Sequence, residues 1–325
     1  MGAEDEKSRA GQSGPNPCPL PKLFLALIPV LRFSLAMRWN IEHTTRFAYS
    51  TPVRDSFNEV RLQPFSNERQ MVESFQLEIR PATRVRQYHD FYANSVHHFE
   101  ITEPHSELIV DARLQVTTRP KPALPADARP APLAALKDAP RIGRCHDFLF
   151  ESKFVDTTPE TWRLAMDAIQ DENDVWQCAL RLMKFVHGHI AYESNSTQVH
   201  THMRDVLAQR RGVCQDFAHV FLGLCRTLRI PALYVSGYLA TETASATHAW
   251  TEVFVPEAGW QALDPTHDRP ADETYIKIGV GRDYSDVAPV KGTYKGTTQR
   301  TMNVVVKIES QDDGQAPRPE ATGGA

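Results

Sequence analysis

The sequence predicts an α+β fold: a small antiparallel β domain, followed by a domain with a helical half and an antiparallel sheet. Three observations carry this. Apolar residues alternate with period two from Met37 to Val116, with no helical period. Six prolines crowd residues 119–140. Helical spacing then begins after Thr158 and gives way to strands after Pro231. A length of 325 residues fits roughly two domains.

Residues 1–36 are expected to be a disordered or non-native extension. Met1 to Pro21 is rich in Gly, Pro and small polar residues. Leu23 to Leu35 resembles the apolar block of a signal peptide, with Ser34 and Ala36 as a small-x-small site. The long lead with Glu4, Asp5 and Glu6, and the interruption at Arg32, argue against it. A third reading starts translation at Met37. Broken by Pro29 and Arg32, the run from Leu23 to Met37 is too short to span a bilayer.

From Met37, residues Trp39, Ile41, His43, Thr45, Phe47 and Tyr49 share one strand face. The alternation returns at Phe75, Leu77 and Ile79, and from Leu108 to Val116, with turn signals at Asn94-Ser95 and Pro104. Residues 37–118 are therefore expected to form the β domain, a sandwich or partial barrel, and residues 119–157 an extended linker. Thr158-Pro159 opens a helix carrying Trp162, Ala165, Met166 and Ile169, and a second helix follows from Val175. A third runs from Cys214 to about Arg229, between Gly212 and Pro231. Strands follow at Ala232 to Tyr238, His248 to Val255, and Trp260 to Leu263. Pro256-Glu257-Ala258-Gly259 turns the last two into a hairpin. Met302 to Ile308 reads as the final strand of a second domain spanning 158–308, and 309–325 as a disordered tail.

Thirty-six basic against forty acidic residues give a net charge of −4, which excludes a dominant basic footprint for nucleic acid or an acidic membrane. The five cysteines, Cys18, Cys145, Cys178, Cys214 and Cys225, form no CxxC pair, so neither a zinc ribbon nor a disulfide framework is expected. A reduced, cytoplasmic setting is the simplest expectation. Oligomeric state is left open.

Cys214 is the informative cysteine. Gly212 lets the chain turn into the helix, and the first-turn N–H groups and helix dipole favour a thiolate there. Cys225 lies three turns on, about 16 Å along the axis, too far to bond to Cys214. A thiolate nucleophile needs a base, and the base needs an orienter. His248 begins one strand and Asp264 ends its hairpin partner. A register that sets Trp250 opposite Asp264 makes His248 the diagonal neighbour on the same face. Cys214, His248 and Asp264 can therefore form a nucleophile, general base and imidazole orienter.

These residues resemble a known family. Gly212-Val213-Cys214-Gln215-Asp216-Phe217-Ala218-His219, His248-Ala249-Trp250 with Glu252-Val253, and Gly259-Trp260 leading to Leu263-Asp264-Pro265-Thr266 resemble the three catalytic blocks of bacterial transglutaminase-like proteins, within the papain-like cysteine enzymes. Trp39 to Tyr49 resembles their separate N-terminal β domain, and Val280 to Gly292 their segment after the aspartate. The likeness covers about residues 37–308. It implies a papain-like core with Cys214 as nucleophile, His248 as base and Asp264 as orienter, no cofactor, and a protein or peptide substrate. The family spans proteases, amidases and cross-linking enzymes. A peptidase or amidase is favoured because water is the default acceptor, over a glutamine acyltransferase or a non-catalytic peptide-binding module.

The remaining features have plainer readings. Cys178 and Cys225 fall on apolar helix stripes and are expected in the core. Cys18 and Cys145 have no evident partners. His219 lies about 140° around the helix from Cys214, which argues against a base role. Asp216 is expected to cap the helix, and Trp250 to pack in the core or shield the Cys–His pair. His187, His189, His200 and His202 form two HxH spacings better explained as loop or solvated residues than as metal ligands, and no metal is expected. Gly279-Val280-Gly281 lacks the context of a nucleotide loop. Asn195-Ser196-Thr197 is a glycosylation acceptor only if the chain is secreted.

Overall fold

The computed structural model describes residues 36–121, 124, 131–141, 143–194, 196–240, 245–296 and 299–311. The expectations for residues 1–35 and 312–325, for Cys18 and for Asn195 lie outside them; residues 309–311 of the expected tail are instead strand, paired with residues 38–40. The chain runs through β1 (Met37–Val60), β2 (Gln70–Arg80), β3 (Val85–His89), β4 (Ser95–Ile101) and β5 (His105–Thr118). Two 3-10 stretches, Leu133–Arg141 and Gly143–Leu149, lead to α1 (Pro159–Ile169) and α2 (Val175–His189). Then come β6 (Ala191–Tyr192), α3 (Met203–Gln209), β7 (Arg211–Gly212) and α4 (Cys214–Thr227). The sheet strands β8 (Ala232–Ala240), β9 (Ser245–Val255), β10 (Gly259–Asp264), β11 (Arg269–Pro270) and β12 (Tyr275–Gly281) follow. Helix α5 (Tyr284–Val287), β13 (Val290–Lys295) and β14 (Arg300–Gln311) close the described chain. This is the expected α+β fold, with mixed helices and antiparallel sheets behind an N-terminal β domain.

Local chemistry explains the helix starts. The Thr158 side chain accepts from Thr161 N–H ahead of Pro159, and Asp174 Oδ1 accepts from Gln177 N–H at 2.9 Å. The acidic break at 171–174 thus ends in the cap of α2. In the Pro256–Gly259 turn, Glu257 and Gly259 take φ of 64° and 70°, a conformation that favours glycine at the second.

The N-terminal sheet is built on β1. Its first half pairs with β5 and its second half with β4, with an irregularity between Ala48 and Val53. The second sheet has the order β11-β10-β9-β8-β12. Strand β8 is buried along its whole length because both sheet faces are covered. Tyr234 and Ala249 pack with Phe221 and Leu224 of α4, while Tyr238, Ala240, Ile276 and Ile278 pack with Trp39, Ile41 and Val110 of the N-terminal sheet. His43 Nδ1 meets Tyr238 Oη at 3.0 Å across that seam. The free edge of β12 is closed by two side-chain amides that imitate a neighbouring strand. Gln70 donates to Lys277 O at 2.7 Å and accepts from Lys277 N at 2.8 Å, and Asn94 does the same for Val280 O and N, both at 2.8 Å.

Two expectations need correction. The 119–157 segment is not simply a linker. Leu136, Cys145 and Val155 join the helical core, and Phe148 joins the cluster around Trp250. The 3-10 stretches bury Leu136, Cys145 and Phe148 without a 3.6-residue period, so the sequence pattern missed them. Buried Arg226 ties the segment to the sheet, donating to Phe150 O at 3.2 Å and to Ala232 O at 2.9 Å. The final strand also belongs elsewhere. It exists as β14, but it pairs with β1 from Arg38↔Gln311 to Tyr49↔Arg300, and β13 pairs with the second half of β1. The C-terminal strands therefore complete the N-terminal sheet. Alternation marks a strand without naming its partner.

Candidate active site

Cys214 occupies the first position of α4, behind the cap residue Val213. The Asp216 carboxylate reaches back to accept from Val213 N–H at 2.8 Å and from Thr197 Oγ1 at 2.6 Å, which makes it the expected cap. Gly212 is required by space, not by backbone handedness: a Cβ there would lie 2.7 Å from the Asp216 side chain. Cys214 is half-buried, with its sulfur at a helix start where the unpaired N–H groups favour negative charge.

The β9–β10 pairing ends at Leu263↔Thr251, which brings Asp264 level with Trp250. His248 is then the diagonal neighbour of Asp264, and its Nε2 donates to Asp264 Oδ2 at 2.8 Å. The Cys214 sulfur hydrogen-bonds the same ring. With Nε2 on Asp264, Nδ1 is the nitrogen left for the thiol. Burial opposes charge on His248. The hydrogen bonds to Asp264 and Cys214, and their charges, outweigh burial and raise the ring to about 9 from 6.5. Trp250 stacks on the ring with centroids 6.2 Å apart. Opposite His248 sits Gly237, where a Cβ would lie 2.4 Å from the Trp250 ring.

Asp264 is fully buried and satisfied on both oxygens. Oδ1 accepts from Thr266 N–H at 2.8 Å. Besides His248, Oδ2 accepts from Tyr275 O–H at 2.7 Å and His267 Nδ1 at 2.7 Å. Burial alone would raise this carboxyl, but these donors hold it far below the usual carboxylate range. His187 Nδ1, at the end of α2, contacts Thr266 O at 3.0 Å and so buttresses the turn.

The structure thus brings together the three residues singled out in the sequence and adds His267 and Tyr275. His267 stands three residues past Asp264 in Asp-Pro-Thr-His and was locally visible. Tyr275 comes from β12 and carried no sequence signal. The other histidines go elsewhere. Burial holds His219 down at about 3, and its Nε2 accepts from Tyr284 N–H at 3.2 Å. His189 stacks on Phe185, His202 contacts Asp156, and His200 lies beside Phe154. Cys178 and Cys225 are buried in the helical core as expected, and Trp250 is buried too.

Residues 39–117 match the bacterial transglutaminase-like N-terminal region. Residues 163–265, which contain Cys214, His248 and Asp264, match the transglutaminase-like superfamily. An uncharacterized protein of Mycobacterium leprae is 35% identical over 281 residues, covering 83% of this chain and 98% of that protein. The chain belongs to the transglutaminase-like superfamily. Members of this superfamily are generally cysteine-nucleophile enzymes. The crystal structure of a candidate cysteine protease from Cytophaga hutchinsonii shares the fold, with a TM-score of 0.71 and 23% identity, covering 87% of this chain and 94% of that one. A shorter likeness, 35% over 68 residues, links the transglutaminase-like chain to a protein-glutamine gamma-glutamyltransferase of Pseudomonas aeruginosa. It covers 18% of this chain and 10% of that protein. Among the described residues, no helix is long and apolar enough to cross a membrane.

Proposed function

We propose that this transglutaminase-like chain is a thiol enzyme acting on amide bonds of a protein or peptide, as a peptidase or amidase. The observation that supports it most is the convergence of a helix-start thiol, a charged imidazole and a buried carboxylate on one site. The Cys214 sulfur attacks the amide carbon and forms a C–S bond. The oxyanion is met by the Cys214 N–H at the helix start. As the C–N bond breaks, His248 gives its Nδ1 proton to the leaving amine. Water then attacks the thioester, His248 takes its proton, and the free acid leaves with the thiolate restored. Asp264 keeps Nε2 protonated throughout, so the ring presents Nδ1 to sulfur and substrate.

A second reading replaces water by a primary amine and yields an isopeptide bond. It is favoured by the local likeness to the Pseudomonas glutamyltransferase. Mass spectrometry of the acyl-enzyme trapped on Cys214, followed by release with water or a labelled amine, tests both. Absence of an acyl adduct from wild-type protein, or an equal adduct in Cys214→Ser, would overturn the thiol mechanism. Adduct release as amide in preference to acid would select the transferase.

A further inference from the structure

We propose that His248, Asp264 and His267 form a reversible site for a zinc-class divalent ion, and that the ion shuts off the Cys214–His248 pair. The shut-off rests on the function proposed above; the site itself rests only on geometry. Two imidazole nitrogens, His248 Nε2 and His267 Nδ1, meet one carboxylate oxygen, Asp264 Oδ2, at 2.8 Å and 2.7 Å. Each residue offers a ligand atom, and these atoms lie within 4.8 Å of one another. The rings stand with centroids 5.2 Å apart at 52° to each other, converging on the carboxylate from two sides. Two histidines and a carboxylate are a donor set suited to zinc and its neighbours, with water in the fourth position.

The spacing fits with little movement. Ligands of a tetrahedral ion bound at about 2.0–2.1 Å lie roughly 3.3 Å apart. The two contacts to Asp264 Oδ2 need to open by about half an ångström, and the two histidine nitrogens, within 4.8 Å of each other, settle to the same spacing. Two of the three ligands are fixed. Asp264 is gripped by Thr266 N–H and Tyr275 O–H, and His248 is stacked on Trp250. The third can move: the His267 side chain is 46% exposed against 8% for His248, so it supplies both the entry side and the adjustment. Cys214 is outside this donor set.

Metal on Nε2 displaces one proton from the His248 imidazolium to solvent. The ring keeps Nδ1–H and cannot take a second proton while the ion is bound. His267 keeps one proton, moved to its outer Nε2. Giving up the His248 Nδ1 proton would then leave a metal-bound imidazolate instead of a neutral ring, so the acid for the leaving amine is much weaker.

The test is isothermal titration of full-length Cys214→Ser protein with Zn2+, since the serine removes the thiolate as a rival ligand. The expected result is a site of one ion per chain. It should weaken about tenfold or more in Cys214→Ser carrying His267→Ala, and likewise in the bulkier His267→Gln, with unchanged far-ultraviolet circular dichroism. Equal binding with and without His267, or no binding to Cys214→Ser, overturns the site. Co2+ titration of wild-type protein adds a second reading. A sulfur-to-cobalt charge-transfer band would place the metal on Cys214 and overturn the proposal, whereas its absence with bound cobalt supports it. None of these readouts needs catalytic activity, so failure of the metal site and failure of the thiol mechanism are separable.

Discussion

Raising the pH from 6 to 9.5 is expected to destabilise wild-type protein by about 3 kcal/mol more than His248→Gln. His248 stands at about 9 in the fold against an ordinary 6.5, a difference of about two and a half pH units at roughly 1.4 kcal/mol each. A histidine raised on folding binds its proton more tightly in the native state. Its contribution is full below pH 6.5 and is lost as pH climbs through about 9. With a side chain only 8% exposed, solvent screens the pairing little. The depressed Asp264 reports the same pairing from the other side and is not added to the total. Urea unfolding of wild type and His248→Gln at both pH values measures the difference, with the variant absorbing the pH response of all other groups. Parallel pH dependences would mean that the folded ring is neutral at pH 7, and the charged-pair account of the site would be wrong.

Other outcomes follow from the same geometry. Asp264→Asn should remain folded but lose about two to four orders of magnitude in turnover, read as kcat on an amide reporter, because the ring loses its orienting charge. Iodoacetamide should label Cys214 well before Cys145, Cys178 and Cys225 in timed mass spectrometry, since burial pushes Cys145 and Cys178 up to about 11 and Cys225 well above its ordinary value. Gly237→Ala should cost about 3 kcal/mol or more in urea unfolding, because its Cβ would fall 2.2 Å from Ile276 O and 2.4 Å from the Trp250 ring that backs His248. A wild-type unfolding midpoint in that variant would show that the sheet yields locally without strain.

Much of the site was legible because its geometry is short-range. Gly-x-Cys before an apolar helix stripe marks a thiol at a helix start. A four-residue turn fixes which residues of β9 and β10 face each other, so His248 and Asp264 could be paired from spacing alone. Period-two burial from Trp39 to Tyr49 was equally plain, since each strand carries its own two-sided pattern.

Only the tertiary structure decided which distant pieces meet. Strand β14 showed its alternation, yet nothing local tells that its partner is β1, more than two hundred residues earlier. Tyr275 reaches Asp264 from a strand that is not its hairpin neighbour, and Gln70 and Asn94 close the β12 edge from the other half of the chain. Phe148 packs through an irregular 3-10 stretch that lacks any helical period. Periodicity and turn chemistry are properties of neighbouring residues and can be read in order. Long-range partners are selected by burial and hydrogen-bond satisfaction across the whole core, and those sums exist only once the chain has folded.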